Sequence, residues 1–176
     1  FANISKTYGD ANFDVAATSN SSGAITYSII GEANGTSLSG ANNNTVNLGN
    51  VSNVTIRATL ATDQTYVATT KDITLTIGKA TITATADDKS RNYGDANPAF
   101  TFSYAGFKNS ETATVLDVAP TASTTATATT NVGTAIITAA GGSDNNYTIA
   151  TVNGTLTIGK ATITATADDK SRNYGD

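Results

Sequence analysis

Two adjacent carboxylates occur twice in this chain, as Asp87-Asp88 and Asp168-Asp169. Paired acids suit two chemistries. One is general acid/base work of the glycosidase kind, with two carboxyl groups facing each other across a cleft. The other is calcium binding, which takes about six to eight oxygen ligands, with Asp95 as a further donor if the chain folds back. Side chains of neighbouring strand residues point to opposite faces, so adjacent aspartates seldom share one ion. Solvated turn carboxylates are the simpler reading, with calcium at Asp87, Asp88 and Asp95 as the alternative. No cleft-forming insertion accompanies the pair and aromatics suited to sugar stacking are few, so the chain reads as a non-enzyme.

Composition narrows the chemistry further. There is no cysteine, histidine, methionine or tryptophan. Thiol nucleophiles, disulfides, zinc fingers and His-based triads are excluded. Net charge is −4, only 14% of residues are charged and the ten basic ones are scattered. No basic stripe exists for nucleic acid. No apolar run approaches the roughly 20 residues needed to insert into a bilayer as a helix. A surface rich in Thr, Ala, Asn, Ser and Gly fits an extracellular β protein.

Two tyrosine motifs recur. Tyr8-Gly9-Asp10 reappears as Tyr93-Gly94-Asp95 and again from Tyr174. It reads as a turn, with glycine at positive φ, aspartate closing an Asx turn and tyrosine packing near a junction; a sugar or calcium contact is the alternative. Asp63-x-x-Tyr66 and Asp144-x-x-Tyr147 each precede a late strand. That spacing is similar to the tyrosine corner of Greek-key sandwiches, in which the hydroxyl bonds to nearby backbone. A Lys–Asn isopeptide crosslink would need a buried lysine beside an acid, and Lys71, Lys79 and Lys108 are flanked by polar residues.

The elements that must position these motifs are strands. Ile25, Tyr27 and Ile29 alternate with polar residues, as do Val54, Ile56, Ala58 and Leu60, then Ile73, Leu75 and Ile77, then Phe100, Phe102 and Tyr104. Period-two alternation marks half-buried antiparallel strands. Clusters of Gly, Asn, Ser and Asp at 20–23, 40–44 and 141–146 separate the runs. Strands at this spacing, with no convincing helical stripe, predict an all-β fold of antiparallel β-sandwiches.

The chain is also internally repeated. The 22 residues from Thr74 to Asp95 recur unchanged from Thr155 to Asp176, a step of 81. The same step carries Asn50-Val51 onto Asn131-Val132, Asp63 onto Asp144 and Tyr66 onto Tyr147. Such a fixed step marks a tandem array. It predicts one domain over 1–78, a second over 79–159, and the first strand and turn of a truncated third over 160–176. Their middles, about 14–49 and 101–130, do not match. Apolar positions are odd before Gly78-Lys79-Ala80 and even after it. The buried face therefore flips at a junction. We read Gly78, Lys79 and Ala80, and by repetition Gly159, Lys160 and Ala161, as linkers of three residues, with Gly78 supplying unusual backbone angles. Thr162–Ala167 is expected to form a strand on the second module or a neighbouring chain.

The segments KATITATADDKSRNYGDANPAF (79–100) and DNNYTIATVNGTLTIGKA (144–161) resemble the MBG-type Ig-like repeats of very large bacterial surface adhesins. SKTYGDANF (5–13) and SSGAITYSI (21–29) resemble the related Ig-like repeat that accompanies them. The resemblance implies tandem Ig-like sandwiches arranged end to end in a secreted, extracellular filament on a bacterial cell surface. Similar arrays occur in giant surface proteins of gliding Bacteroidetes, which implies a role in adhesion or a gliding-motility filament. It implies neighbouring repeats as partners, attachment to an external surface or polysaccharide through other regions, and no enzymatic activity. A binding module using loops at the sandwich ends to hold glycan is the alternative. Stability is expected to be roughly a sum of domain terms with modest coupling.

Overall fold

The computed structural model describes residues 1–175. The first half contains β1 (Ile4–Thr7), β2 (Phe13–Asp14), β3 (Ile25–Ile30), β4 (Ser37–Ser39), β5 (Thr45–Asn47), β6 (Ser52–Leu60) and β7 (Thr69–Gly78). They form two sheets, β1-β7-β6-β3 and β2-β5-β4. The second half contains β8 (Ala80–Ala86), β9 (Lys89–Asn92), β10 (Phe102–Ala105), β11 (Thr121–Ser123), β12 (Gly133–Ala140), β13 (Tyr147–Val152) and β14 (Gly154–Gly159). Its sheets are β10-β8-β13 and β11-β12-β14-β9. Among the described residues no strand ladder crosses Lys79.

Alternation sets the buried faces. On β6, Val54 and Ile56 are buried directly opposite Leu75 and Ile73 of β7. Ala80, Ile82, Ala84 and Ala86 form the buried face of β8. Each such apolar side chain contributes roughly 1.5–3 kcal/mol when a Val, Leu or Ile is fully covered, which holds a small sandwich together without disulfides.

Three of the four sheets are mixed, a departure from the antiparallel expectation, and only β2-β5-β4 is antiparallel throughout. β1 runs parallel to β7, β9 parallel to β14, and β13 parallel to β8. In the first two cases an early strand lies beside the last strand of its own module. The rest of the module supplies the long crossover that parallel neighbours require.

The chain changes sheets between β8 and β9, at Asp87-Asp88. Asp87 accepts from the Ser103 hydroxyl at 2.6 Å and from the Thr101 hydroxyl. These bonds hold its carboxyl below the usual range. Asp88 accepts from the Thr155 N–H at 2.6 Å, on the other sheet. The two acids thus tie opposite sheets at the switch and lie eight and nine residues beyond Lys79, away from the junction. Asp95 is engaged in its own turn, and no group of three or more acidic side chains placed for a metal ion exists among the described residues.

The junction is shorter than expected. β7 ends at Gly78 and β8 starts at Ala80, leaving Lys79 alone between them. Gly78 has no positive φ, so the flip of buried face is met by the change of module. Residues 161–167, identical to Ala80–Ala86, form no strand and are exposed. The expected strand at Thr162–Ala167 is absent. β8 is ordered by β10 and β13, both supplied by later residues of its own module, and no described residue offers such partners to the second copy.

Candidate functional site

Tyr8-Gly9-Asp10 turns the chain at the end of β1. Asp10 N–H donates to Thr7 O at 3.0 Å, and the Asp10 carboxylate accepts from Thr7 N–H at 2.9 Å. Gly9 has φ +77°, a region costly for residues with a Cβ. Because β1 runs parallel to β7, this turn lies beside Gly78, where Tyr8 N–H donates to Gly78 O at 2.9 Å. A motif at the sequence start of the module therefore sits at its far end, against the next module.

The receiving surface is built on a second tyrosine. Asp144 accepts from the N–H groups of Asn146 and Tyr147 at 2.7 and 2.9 Å, an Asx turn that launches β13. Tyr147 pairs with Ala80 across the parallel ladder, beside the junction. Its ring meets Tyr8 edge-on at 5.4 Å and Phe107 edge-on at 5.3 Å. Edge-to-face pairs at this spacing add about 0.5–1.5 kcal/mol beyond their area.

Glu111 joins the two hydroxyls. Tyr8 donates to one carboxylate oxygen at 2.7 Å and Tyr147 to the other at 2.5 Å. The Tyr147 hydroxyl also accepts from Lys108 N–H at 2.9 Å. Burial, then the bond to Glu111, pushes the Tyr147 hydroxyl up to about 12. The bond to Glu111, then burial, raises Tyr8.

A polar clasp adds to these contacts. Val51 N–H donates to Asn146 Oδ1 at 3.0 Å, and Asn146 Nδ2 donates to Asn50 Oδ1 at 3.2 Å. Ala80 N–H donates to Asn146 O at 3.0 Å, and Lys79 Nζ to Asp144 O at 2.8 Å. The lone linker residue is thereby pinned. One hydrophobic cluster runs through the seam, from Val54, Ile56 and Leu75 through Tyr8 to Ala80, Ile82 and Tyr147. A separate cluster around Ile137, Leu156 and Ile158 fills the far half of the second module.

The equivalent residues elsewhere are placed differently. Asp63 forms the same Asx turn, accepting from Thr65 and Tyr66 N–H at 2.7 Å each; the Ser21 hydroxyl bond first, then these two and the bonds from Ser22, hold its carboxyl well below the usual range. Yet Tyr66 is partly exposed, and its hydroxyl receives only the Asn20 side-chain amide, at 3.3 Å. The corner geometry fails at both sites: Tyr66 meets no backbone, and Tyr147 reaches the backbone of a loop 39 residues upstream. Tyr93-Gly94-Asp95 repeats the turn, with Gly94 at φ +90° and Asp95 accepting from Asn92 N–H at 3.2 Å, but Tyr93 is exposed. Asp168, Asp169, Lys160, Ala161 and Tyr174 lie on the exposed final segment, while Gly159 ends β14.

Residues 82–157 match the family model of the MBG domain, YGX type. The second module is an MBG-type repeat. The Tyr93-Gly94-Asp95 turn and the Phe107–Glu111–Tyr147 surface both fall inside that MBG span. No curated protein matches the chain. Among solved structures, the EC1-2 segment of human protocadherin-24 is similar at 7% identity and a TM-score of 0.34, over 91% of this chain and 95% of that one. A likeness that loose carries no argument about the chain.

Glu111, Phe107 and Asn146 were missed in the sequence because repeat matching discards them. Glu111 and Phe107 lie in the unmatched middle, and step 81 sets Thr65 against Asn146. An isolated acid following an aromatic in a segment of few charges was the available signal.

Proposed function

We propose that this chain is a stalk segment of a long, secreted bacterial cell-surface adhesin, in which Ig-like repeats stack end to end and hold a distal binding region away from the cell. A gliding-motility filament is one setting for such a stalk. The observation that carries the reading is the seam: one linker residue, a shared hydrophobic cluster and a carboxylate bridging tyrosines of both modules. A joint of this kind resists bending, which a load-bearing spacer needs and two independent domains on a string do not. The reading assigns the chain no catalysis, no nucleic acid, no membrane insertion and no cofactor; its partners are neighbouring repeats, with surface or polysaccharide contacts made by other regions. Solution scattering tests it. An elongated particle with a narrow distribution of lengths is expected, and a compact particle would sink it.

One observation favours a second reading. Phe102, Tyr104 and Phe107 line an open groove whose rim carries Glu111 and Thr112, in the middle region that the first module does not match. Neighbouring aromatic rings beside a carboxylate suit a glycan. Saturable binding on a glycan array, lost in Tyr104→Ala, would favour it over the spacer.

A further inference from the structure

The far end of each module is built from the same positions, in contact with a neighbour in one module and bare in the other. Tyr8, Gly9, Asn50 and Val51 face the second module. Their equivalents Tyr93, Gly94, Asn131 and Val132 face solvent, with Tyr93 42% and Val132 50% exposed. A Cβ on Gly9 would stand 2.3 Å from the Lys108 Cβ, whereas one on Gly94 would meet nothing.

The bare turn is nonetheless held as firmly as the covered one. Tyr93 N–H donates to Gly159 O at 2.8 Å, as Tyr8 does to Gly78, and Gly94 N–H donates to Ala128 O at 3.0 Å. Beneath it, buried Arg91 bonds to Asn97 Oδ1 at 2.7 Å, to Asn92 O at 3.0 Å and to Thr127 O. This is a preorganised aromatic knob, its shape set before any partner arrives.

We infer that the Tyr93 turn is a plug for a further MBG-type repeat, and that the plug selects repeats carrying the second module's socket. The inference rests on the stalk reading above. The socket is an aromatic at the Phe107 position, an acid at Glu111, an asparagine at Asn146 and the Asx-turn tyrosine at Tyr147. The tyrosine hydroxyl of the plug is a donor and needs an acceptor. One carboxylate, with two oxygens, serves plug and socket tyrosines together. The first module does not offer this set: Thr65 stands where Asn146 does, and its Tyr66 hydroxyl is met by an amide donor from Asn20. The order of repeats is thus read at each joint, since a first-module type of repeat offers the plug neither the asparagine clasp nor an enclosed Asx-turn tyrosine.

Residues 160–176 are identical to 79–95, so the present chain followed by a second copy of residues 96–176 supplies the next socket without altering any residue. Tyr93→Ala is placed in this extended chain and in the 176-residue chain, and urea midpoints are compared while hydrogen exchange follows 161–167. In the extended chain Tyr93→Ala is expected to lower the midpoint as far as Tyr8→Ala does, and in the shorter chain to shift it far less. Glu111→Gln in the appended copy alone should reproduce part of that loss. If 161–167 becomes protected but Tyr93→Ala acts equally in both chains, the plug falls and the stalk reading stands. If 161–167 stays unprotected in the extended chain, both fall.

Discussion

Residues 80–86 and 161–167 share the sequence ATITATA, yet Ile82 is fully buried and Ile163 is 92% exposed. The same division runs through the other duplicated residues. Tyr8 is enclosed and Tyr93 bare; Tyr147 is enclosed and Tyr66 half bare. In each pair the local conformation is retained where a turn fixes it and lost where a strand needs a neighbour. The Tyr-Gly-Asp turns close by bonds within four residues, so both copies form. The ATITATA strand bonds only to β10 and β13, so one copy forms and the other does not. Local hydrogen bonds make a motif portable, whereas ladder hydrogen bonds make it conditional.

The comparison breaks most easily at the isoleucines. Ile82→Ala should destabilise the chain by about 2–5 kcal/mol, the range for truncating a buried isoleucine, while Ile163→Ala should stay within about 0.5 kcal/mol. Urea denaturation measures both, and equal shifts would mean that the final segment is packed in solution. Amide exchange gives the same contrast without mutation, with slow exchange on β8 and fast exchange on 161–167.

The glycines come next. Gly9→Ala and Gly94→Ala both pay about 1–2 kcal/mol for a Cβ at positive φ. Only Gly9→Ala also drives a methyl into Lys108, so its thermal midpoint should fall further and the two modules should lose their joint transition. Equal midpoints would show that the seam opens freely.

Tyr147→Phe should cost about 2 kcal/mol, since it removes a bond to a carboxylate and leaves Lys108 N–H without its acceptor. Tyr66→Phe should cost less than about 0.5 kcal/mol, because its single exposed bond is replaced by water. A double-mutant cycle of Tyr8→Phe with Tyr147→Phe would sharpen the contrast, since hydroxyls sharing Glu111 should couple.

The last effect is alkaline. A phenol whose folded pKa is raised above the ordinary value of about 10 stabilises fully below about pH 10. That contribution is lost as pH climbs through the folded value, about 12 for Tyr147. Stability should therefore decline over that window, and Tyr147→Phe should flatten the decline. An unchanged slope in the variant would place the titration elsewhere.

Much of the fold was legible. The runs at 25–29, 54–60 and 73–77 became β3, β6 and β7 because period-two alternation is a local property that burial of one face enforces. The parallel pairs were not legible, since alternation is the same whichever way the neighbour runs. The seam was visible as a flip of the buried face, but its chemistry was not. Glu111 reaches Tyr8 across 103 residues, and no spacing rule links them.

Sequence alone determined the alternating runs of β3, β6 and β7, the tandem step, the MBG-type motif and the two kinds of tyrosine turn, because each rests on contacts between near neighbours or on identity with its own copy. Tertiary structure decided which tyrosine is buried, which ATITATA is a strand, where the paired aspartates point and what locks the modules together. Those outcomes depend on partners far along the chain, and a side chain leaves water only when such a partner is there to cover it.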